Sequence, residues 1–204
     1  IEQILPRERN DAHRLIEEMM LVANTCAAAF LQKNKAPCLY RVHEPPSQDR
    51  LEKARATLAP FGVTLPGGDS PTPGDYAKVL ESIADRPDKA MIQTILLRSM
   101  QQAVYSPHNV GHFGLAYDAY THFTSPIRRY PDLLVHRAIR GILRRRKYVP
   151  KILVEPNEAE VPVQTREIIC KAKPDDKKKV AHIDLWEKLG LLCSAHERRA
   201  DEAS

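Results

Sequence analysis

An α+β fold that is mainly helical follows from three features of this sequence. Through several long segments the apolar residues recur in steps of three and four, the period of an amphipathic helix. The short run Leu39-Tyr40-Arg41-Val42-His43 alternates, which is the period of a strand. From Gly111 to Phe123 the chain is rich in aromatic and small residues and reads as extended structure entering a loop. The chain has 204 residues, 43% hydrophobic and 28% charged. That suffices for a sizeable core and excludes a wholly disordered chain. With 8 Gly and 4 Cys, collagen-like and disulfide-scaffold classes are also excluded. No apolar run approaches the ~20 residues of a membrane helix, so no membrane partner is expected.

The elements follow in chain order. Asn10 or Asp11 caps a helix to Lys33, with Ala12, Leu15, Ile16, Met19, Met20, Ala23, Ala27, Phe30 and Leu31 inward. Pro37 closes it, and the alternating stretch from Leu39 supplies a strand. Ser47 caps a helix over 48–58, ended by Pro60 and Gly62. Residues 65–74 form a Pro- and Gly-rich loop, and 75–84 a short helix. Pro87 opens a longer helix over 88–105, with Met91, Ile95, Leu96, Met100 and Val104 inward. Ser125 and Pro126 are an N-cap and first helical residue for a helix reaching Arg146. Residues 149–174, broken by proline, read as a hairpin or loop, and 175 onward as a helix.

The cysteines, Cys26, Cys38, Cys170 and Cys193, form no C-x-x-C pair. They read as small buried hydrophobes in a reducing, cytoplasmic chain. The first residue is Ile1 and the first Met is Met19, within a helical pattern, so a fragment of a longer protein is expected.

Net charge is +5, but its distribution is uneven. Between Ser125 and Lys151 stand Arg128, Arg129, Arg137, Arg140, Arg144, Arg145, Arg146, Lys147 and Lys151, with Asp132 as the only acid. Such a run suits a polyanion, although charge runs are commonly solvated helix faces. The segment Thr124-Ser-Pro-Ile-Arg-Arg-Tyr-Pro-Asp132 is the most informative. Free N–H groups at a helix start attract anions, and Arg128 and Arg129 would add bidentate contacts to a phosphate. An ordinary capped helix with exposed arginines is the competing reading. His112, His122 and His136 have no zinc-type spacing and read as core or hydrogen-bonding residues.

These residues carry a resemblance. His112-Phe-Gly-Leu-Ala116 and Tyr120-Thr-His-Phe-Thr-Ser-Pro-Ile-Arg-Arg-Tyr-Pro-Asp-Leu-Leu-Val-His-Arg137 resemble the signature of the RNase II/RNase R family of exoribonucleases. So do Arg9 to Met20, Ala84 to Asp88, Leu97 to Gln101 and Cys193 to Ala203. The likeness spans the chain except for about 147–179, a variable loop region. It implies a processive 3′-to-5′ hydrolysis of single-stranded RNA to nucleoside monophosphates, with Mg²⁺ as cofactor. It also implies flanking RNA-binding domains in the complete protein.

By that resemblance residues 1–204 are the C-terminal portion of a catalytic domain. The family's metal-binding aspartates, catalytic tyrosine and base-clamping aromatics belong to the upstream half. No metal ligand is therefore assigned in this chain, and the chain by itself is expected to be inactive. Asp175-Asp176, the one adjacent Asp pair, sits among lysines and reads as a solvated loop. Arg128 matches the arginine that holds the scissile phosphate. Arg129 would take a neighbouring phosphate. Glu17 and Glu197 match carboxylates that contact the terminal nucleotide, and a 2′-OH would give them a donor. Helical periodicity alone does not separate Glu17 from Glu18. A basic helical module that binds RNA without hydrolysing it, and a protein-interaction scaffold, are the alternatives.

Overall fold

The computed structural model describes residues 9–153, 155–157, 161–171 and 182–203. Within them the chain is mostly helical with one two-stranded sheet. Helix α1, Asp11–Lys33, starts where the sequence indicates. The Asn10 side chain accepts from the His13 N–H at 3.1 Å, and the Asn10 N–H donates to His13 Nδ1 at 3.3 Å. Strand β1, Tyr40–Val42, and helix α2, Gln48–Leu58, also fall as expected; Gly62, at φ +67°, ends the turn after α2. Helix α3, Pro73–Ser82, begins earlier than expected, because Thr72 and Asp75 form a reciprocal cap around Pro73.

Helix α4, Lys89–Ser99, is shorter than the expected 88–105. Met100 turns extended, and Val104–Ser106 becomes strand β2. It pairs antiparallel with β1, Val42 opposite Val104 and Arg41 opposite Tyr105. The apolar run fits a helix by spacing, but the cross-strand partner decides it. Helix α5, Tyr130–Leu143, is followed by α6, Val163–Ile169, where a hairpin or loop was expected. Ile168 and Ile169 are buried in the main core, which gives that segment its reason to fold. Helix α7, Ile183–Ala203, ends the described chain; Asp175 and Asp176 lie outside the described residues.

The main core joins Ala27, Ala28 and Leu31 of α1 to Val135 and Ala138 of α5, the sheet, α6 and Leu191 of α7. A second core lies among α2, α3 and α4, and a third surrounds Trp186. Helix α7 rests directly on β2. A Cβ on Gly190 would stand 2.5 Å from the Tyr105 carbonyl oxygen, so only a glycine allows this approach. The Ser194 hydroxyl accepts from the Tyr105 N–H at 3.0 Å and closes the outer edge of β2.

Two expectations about apolar faces are corrected. On α4, Ile92, Leu96 and Ser99 are buried and Met91 is exposed. On α1 the buried face is Asn24, Ala27, Ala28 and Leu31, whereas Leu15, Ile16 and Met19 are exposed. With Val22, exposed Leu15 and Met19 line the side opposite Asn24 at 100° per residue. Being apolar on two opposite sides, α1 is long and apolar enough to cross a membrane by length and composition alone, contrary to the sequence expectation. One side nonetheless packs on α5 and carries a buried, hydrogen-bonded Asn24.

Candidate active site

The turn bearing Thr124 to Arg129 is not the first turn of a helix. Arg129 is itself the N-cap of α5, and Pro131 occupies the first turn, where its missing N–H costs nothing. The Ser125 cap and Pro126 start read from the sequence are therefore corrected. Ser125 does something else: its carbonyl accepts from the Arg129 N–H at 3.0 Å, closing a tight turn.

Buried side chains hold this turn on both sides. Asn24 of α1, 1% exposed, accepts the N–H groups of Phe123 at 3.0 Å and Thr124 at 3.2 Å; its amide donates to the Tyr120 hydroxyl at 2.8 Å. The Thr121 hydroxyl donates to the Leu39 carbonyl at 2.7 Å. His136 meets the Phe123 carbonyl at 2.9 Å, and the two rings stack with centroids 4.2 Å apart. Asp132, wholly buried, accepts from the Ser125 N–H at 2.8 Å and from Arg129 Nη2 at 2.7 Å through one oxygen. Its other oxygen, the Arg129 Nε and the Thr124 hydroxyl are buried without a hydrogen-bond partner. A polar frame this costly to bury has one outward product. Arg128 projects exposed beside fully exposed Ile127, with no ion pair to another described residue.

A second cluster lies behind the turn. Arg41 of β1 pairs with Glu197 of α7 at 2.5 Å and lies over the Tyr105 ring, 4.7 Å from its centroid. The Tyr105 hydroxyl meets His122 Nδ1 at 2.9 Å. Burial raises the Tyr105 hydroxyl well above its ordinary pKa, and it feels the charges of Arg41, Glu197, Arg129 and Asp132. Burial, with Arg129 and Arg41 close by, lowers His122 to about 3. Burial and the neighbouring His43 lower His112 to about 4. Both histidines are thus neutral near pH 7. This environment accepts and orients hydrogen bonds and carries fixed guanidinium charge.

Tyr105 feels the charges of Arg129 and Glu197, and His122 those of Arg129 and Arg128. Arg129 is not a free cation, since it is mostly covered and bonded to Asp132. Glu17 stands apart, exposed and paired with Arg9. It does lie in line with Asn24, seven residues and about 10 Å along the same side of α1, whereas Glu18 points away.

Sequence reasoning missed Arg41, Asn24 and Asp132. Each had a signal: an arginine in a strand pattern, a polar residue on an apolar helix side, and the single acid in a basic run. Among the described residues no three His, Cys, Asp or Glu side chains converge to hold a metal ion.

Fold and site together define a mainly helical domain that presents an exposed arginine on a turn held by buried side chains. Residues 1–145 match the RNB domain, and the chain belongs to that family. It is 48% identical to ribonuclease R of Escherichia coli (strain K12) over 206 residues, covering 100% of this chain and 23% of that protein. Among solved structures it is similar to Mycoplasma genitalium RNase R in complex with ribose methylated single-stranded RNA. That likeness has a TM-score of 0.64 at 27% identity and covers 95% of this chain and 28% of that one. It shares its fold, at TM-score 0.61 and 22% identity over 92% of this chain and 22% of that one, with yeast Ssd1, a pseudonuclease. The chain spans about a quarter of the length of these relatives.

Proposed function

We propose that this chain is the C-terminal portion of the catalytic domain of a processive 3′-to-5′ exoribonuclease. The enzyme hydrolyses single-stranded RNA to nucleoside 5′-monophosphates in cytoplasmic RNA turnover. The observation that carries this reading is Arg128, exposed and without an ion pair among the described residues, on a turn clamped by Asn24 and Asp132. Family membership and the ribonuclease R relatives support it.

In this reading Arg128 holds a phosphate and offsets the charge that grows on its oxygens during hydrolysis. Arg129 braces the turn through Asp132 and lends its charge to a neighbouring phosphate. Glu197, oriented by Arg41, and Glu17 receive hydroxyls of the terminal nucleotide. The Mg²⁺ ligands, and the RNA-binding domains that flank the catalytic domain, are placed in parts of the protein outside this chain.

The test is single-turnover cleavage beside equilibrium binding, on the full-length protein with one single-stranded RNA at fixed salt. Arg128→Ala is expected to lose rate by roughly 10² to 10³, the loss typical of one oriented donor. Arg128→Lys keeps the charge without the planar fork and is expected to stay impaired. Affinity is expected to change far less. A wild-type rate in Arg128→Ala, or a defect confined to binding, would refute the catalytic role. Binding without any cleavage by the wild-type protein would favour a non-catalytic RNA-binding module.

A further inference from the structure

The active-site reading leaves most of the basic run unused. On α5 and its C-cap, residues Tyr130, Leu133, Arg137, Arg140 and Arg144 fall within an arc of about 80°, opposite buried Val135 and partly buried Ile139. Arg137, Arg140 and Arg144 are exposed, as are Arg145, Arg146 and Lys147 in the following turn. From Arg140 to Lys147 none of these cations makes an ion pair with another described residue. Arg137 lies beside the hydroxyls of Tyr148 and Tyr130, which raise its pKa. The only acid of the stretch, Asp132, is turned inward and bonded to Arg129.

A solvated helix side normally mixes charges and pairs them along the helix. Here the charges are of one sign and, among the described residues, without ion pairs. The negative end of the helix dipole accounts for one or two cations in the last turn, not for a line that continues past it. The line from Tyr130 to Arg144 is about 21 Å long. One end abuts the Arg128 turn.

We propose that the outer side of α5 is a second contact surface for the RNA strand, continuous with the Arg128 turn. Phosphates would lie along Arg140, Arg144, Arg145, Arg146 and Lys147, and a base would stack on the partly exposed Tyr130. At about 3.4 Å per nucleotide, the line matches about six nucleotides. The proposal rests on the RNA reading above. It adds that affinity, not turnover, depends on this side of the helix and only for strands long enough to reach it.

The experiment uses the full-length protein with Arg140, Arg144 and Arg145 all changed to Gln. Affinities for oligoadenylates of four and twenty nucleotides are measured against salt. For the 20-mer the slope of log affinity against log salt is expected to shrink by about 2, near 0.7 per lost phosphate contact on a single strand. The 4-mer affinity and the cleavage rate at saturating RNA are expected to hold. A triple Arg→Lys variant is expected to retain the slope, which separates charge from any effect on folding. An unchanged 20-mer slope in a protein that still degrades RNA overturns the proposal and leaves the catalytic reading intact. So does an equal loss for both lengths, or a loss shared by the lysine variant. A wild-type protein that neither binds nor degrades RNA overturns the catalytic reading instead.

Discussion

At the scale of the residue, two adjacent guanidiniums leave one turn in opposite directions. Arg128 goes outward without an ion pair to another described residue, while Arg129 folds under and meets a fully buried carboxylate at 2.7 Å. The second pair is structural in origin. A buried charge that loses its partner is expensive, whereas removing both partners is far cheaper. Asp132→Leu alone is therefore expected to cost about 3–5 kcal/mol of stability, since it strands Arg129 and the Ser125 N–H. Arg129→Met together with Asp132→Leu is expected to cost clearly less than the sum of the two single changes. Equilibrium unfolding followed by Trp186, the only tryptophan and 1% exposed, reports all four corners of the cycle. Additive losses would show that the contact at 2.7 Å carries no energy of its own. The Ser125–Pro126 reading failed at this scale for a related reason. Ser-Pro is a sound helix start by local chemistry. The Ser125 N–H is instead held by Asp132, seven residues later, as part of a turn before α5, and no local rule reports a partner at that distance.

At the scale of the element, α7 and β2 form the joint that carries Glu197 to Arg41. The joint depends on bare backbone at Gly190, where an added Cβ would meet the Tyr105 carbonyl at 2.5 Å and Ile169 at 3.2 Å. Gly190→Ala must push α7 away from the sheet. A gain of about 1 kcal/mol in helix propensity does not offset a clash with backbone, so a net loss of about 1–3 kcal/mol is expected. The Trp186 unfolding transition checks it, because Trp186 sits one turn before Gly190 on α7. A neutral or stabilising outcome would mean that the helix slides on the sheet without resistance. Elements with their own local signals were legible in the sequence. Asn10 or Asp11 marked the start of α1, where Asn10 is the cap, and Ser47 and Pro60 bracketed α2, although the Ser47 side chain makes no cap bond. Strand β2 was not, because Val104 to Ser106 becomes a strand only against β1 and under α7. The second apolar side of α1 was hidden for a different reason. A list of apolar spacings does not say how many sides a helix has.

At the scale of the whole molecule, the site's histidines couple protonation to folding. His122 and His112 sit behind the turn at about 3 and about 4, against an ordinary value near 6.5; burial is the main cause in both. His43, in ring contact with His112, is lowered in the same direction, again chiefly by burial. In the unfolded chain all three take up protons as pH falls through about 6.5. In the folded chain His122 and His112 do so only near 3 and 4. Between those limits the unfolded state binds more protons, so stability falls as pH falls. The contribution is fully present above about pH 7 and is lost progressively toward pH 4. For His122 alone the loss from pH 7 to pH 5 is about 2 kcal/mol. His112 and His43 add to it with the same sign. The decisive comparison is the unfolding free energy at pH 7 and pH 5 for the wild type and for His122→Gln, which keeps a polar group near the Tyr105 hydroxyl. The substituted protein is expected to be less stable at pH 7 and to lose about 2 kcal/mol less on acidification. Parallel pH dependences would show that His122 titrates freely while folded. The cluster of Tyr105, Arg41 and Glu197 would then be far wetter than its packing against α7 implies.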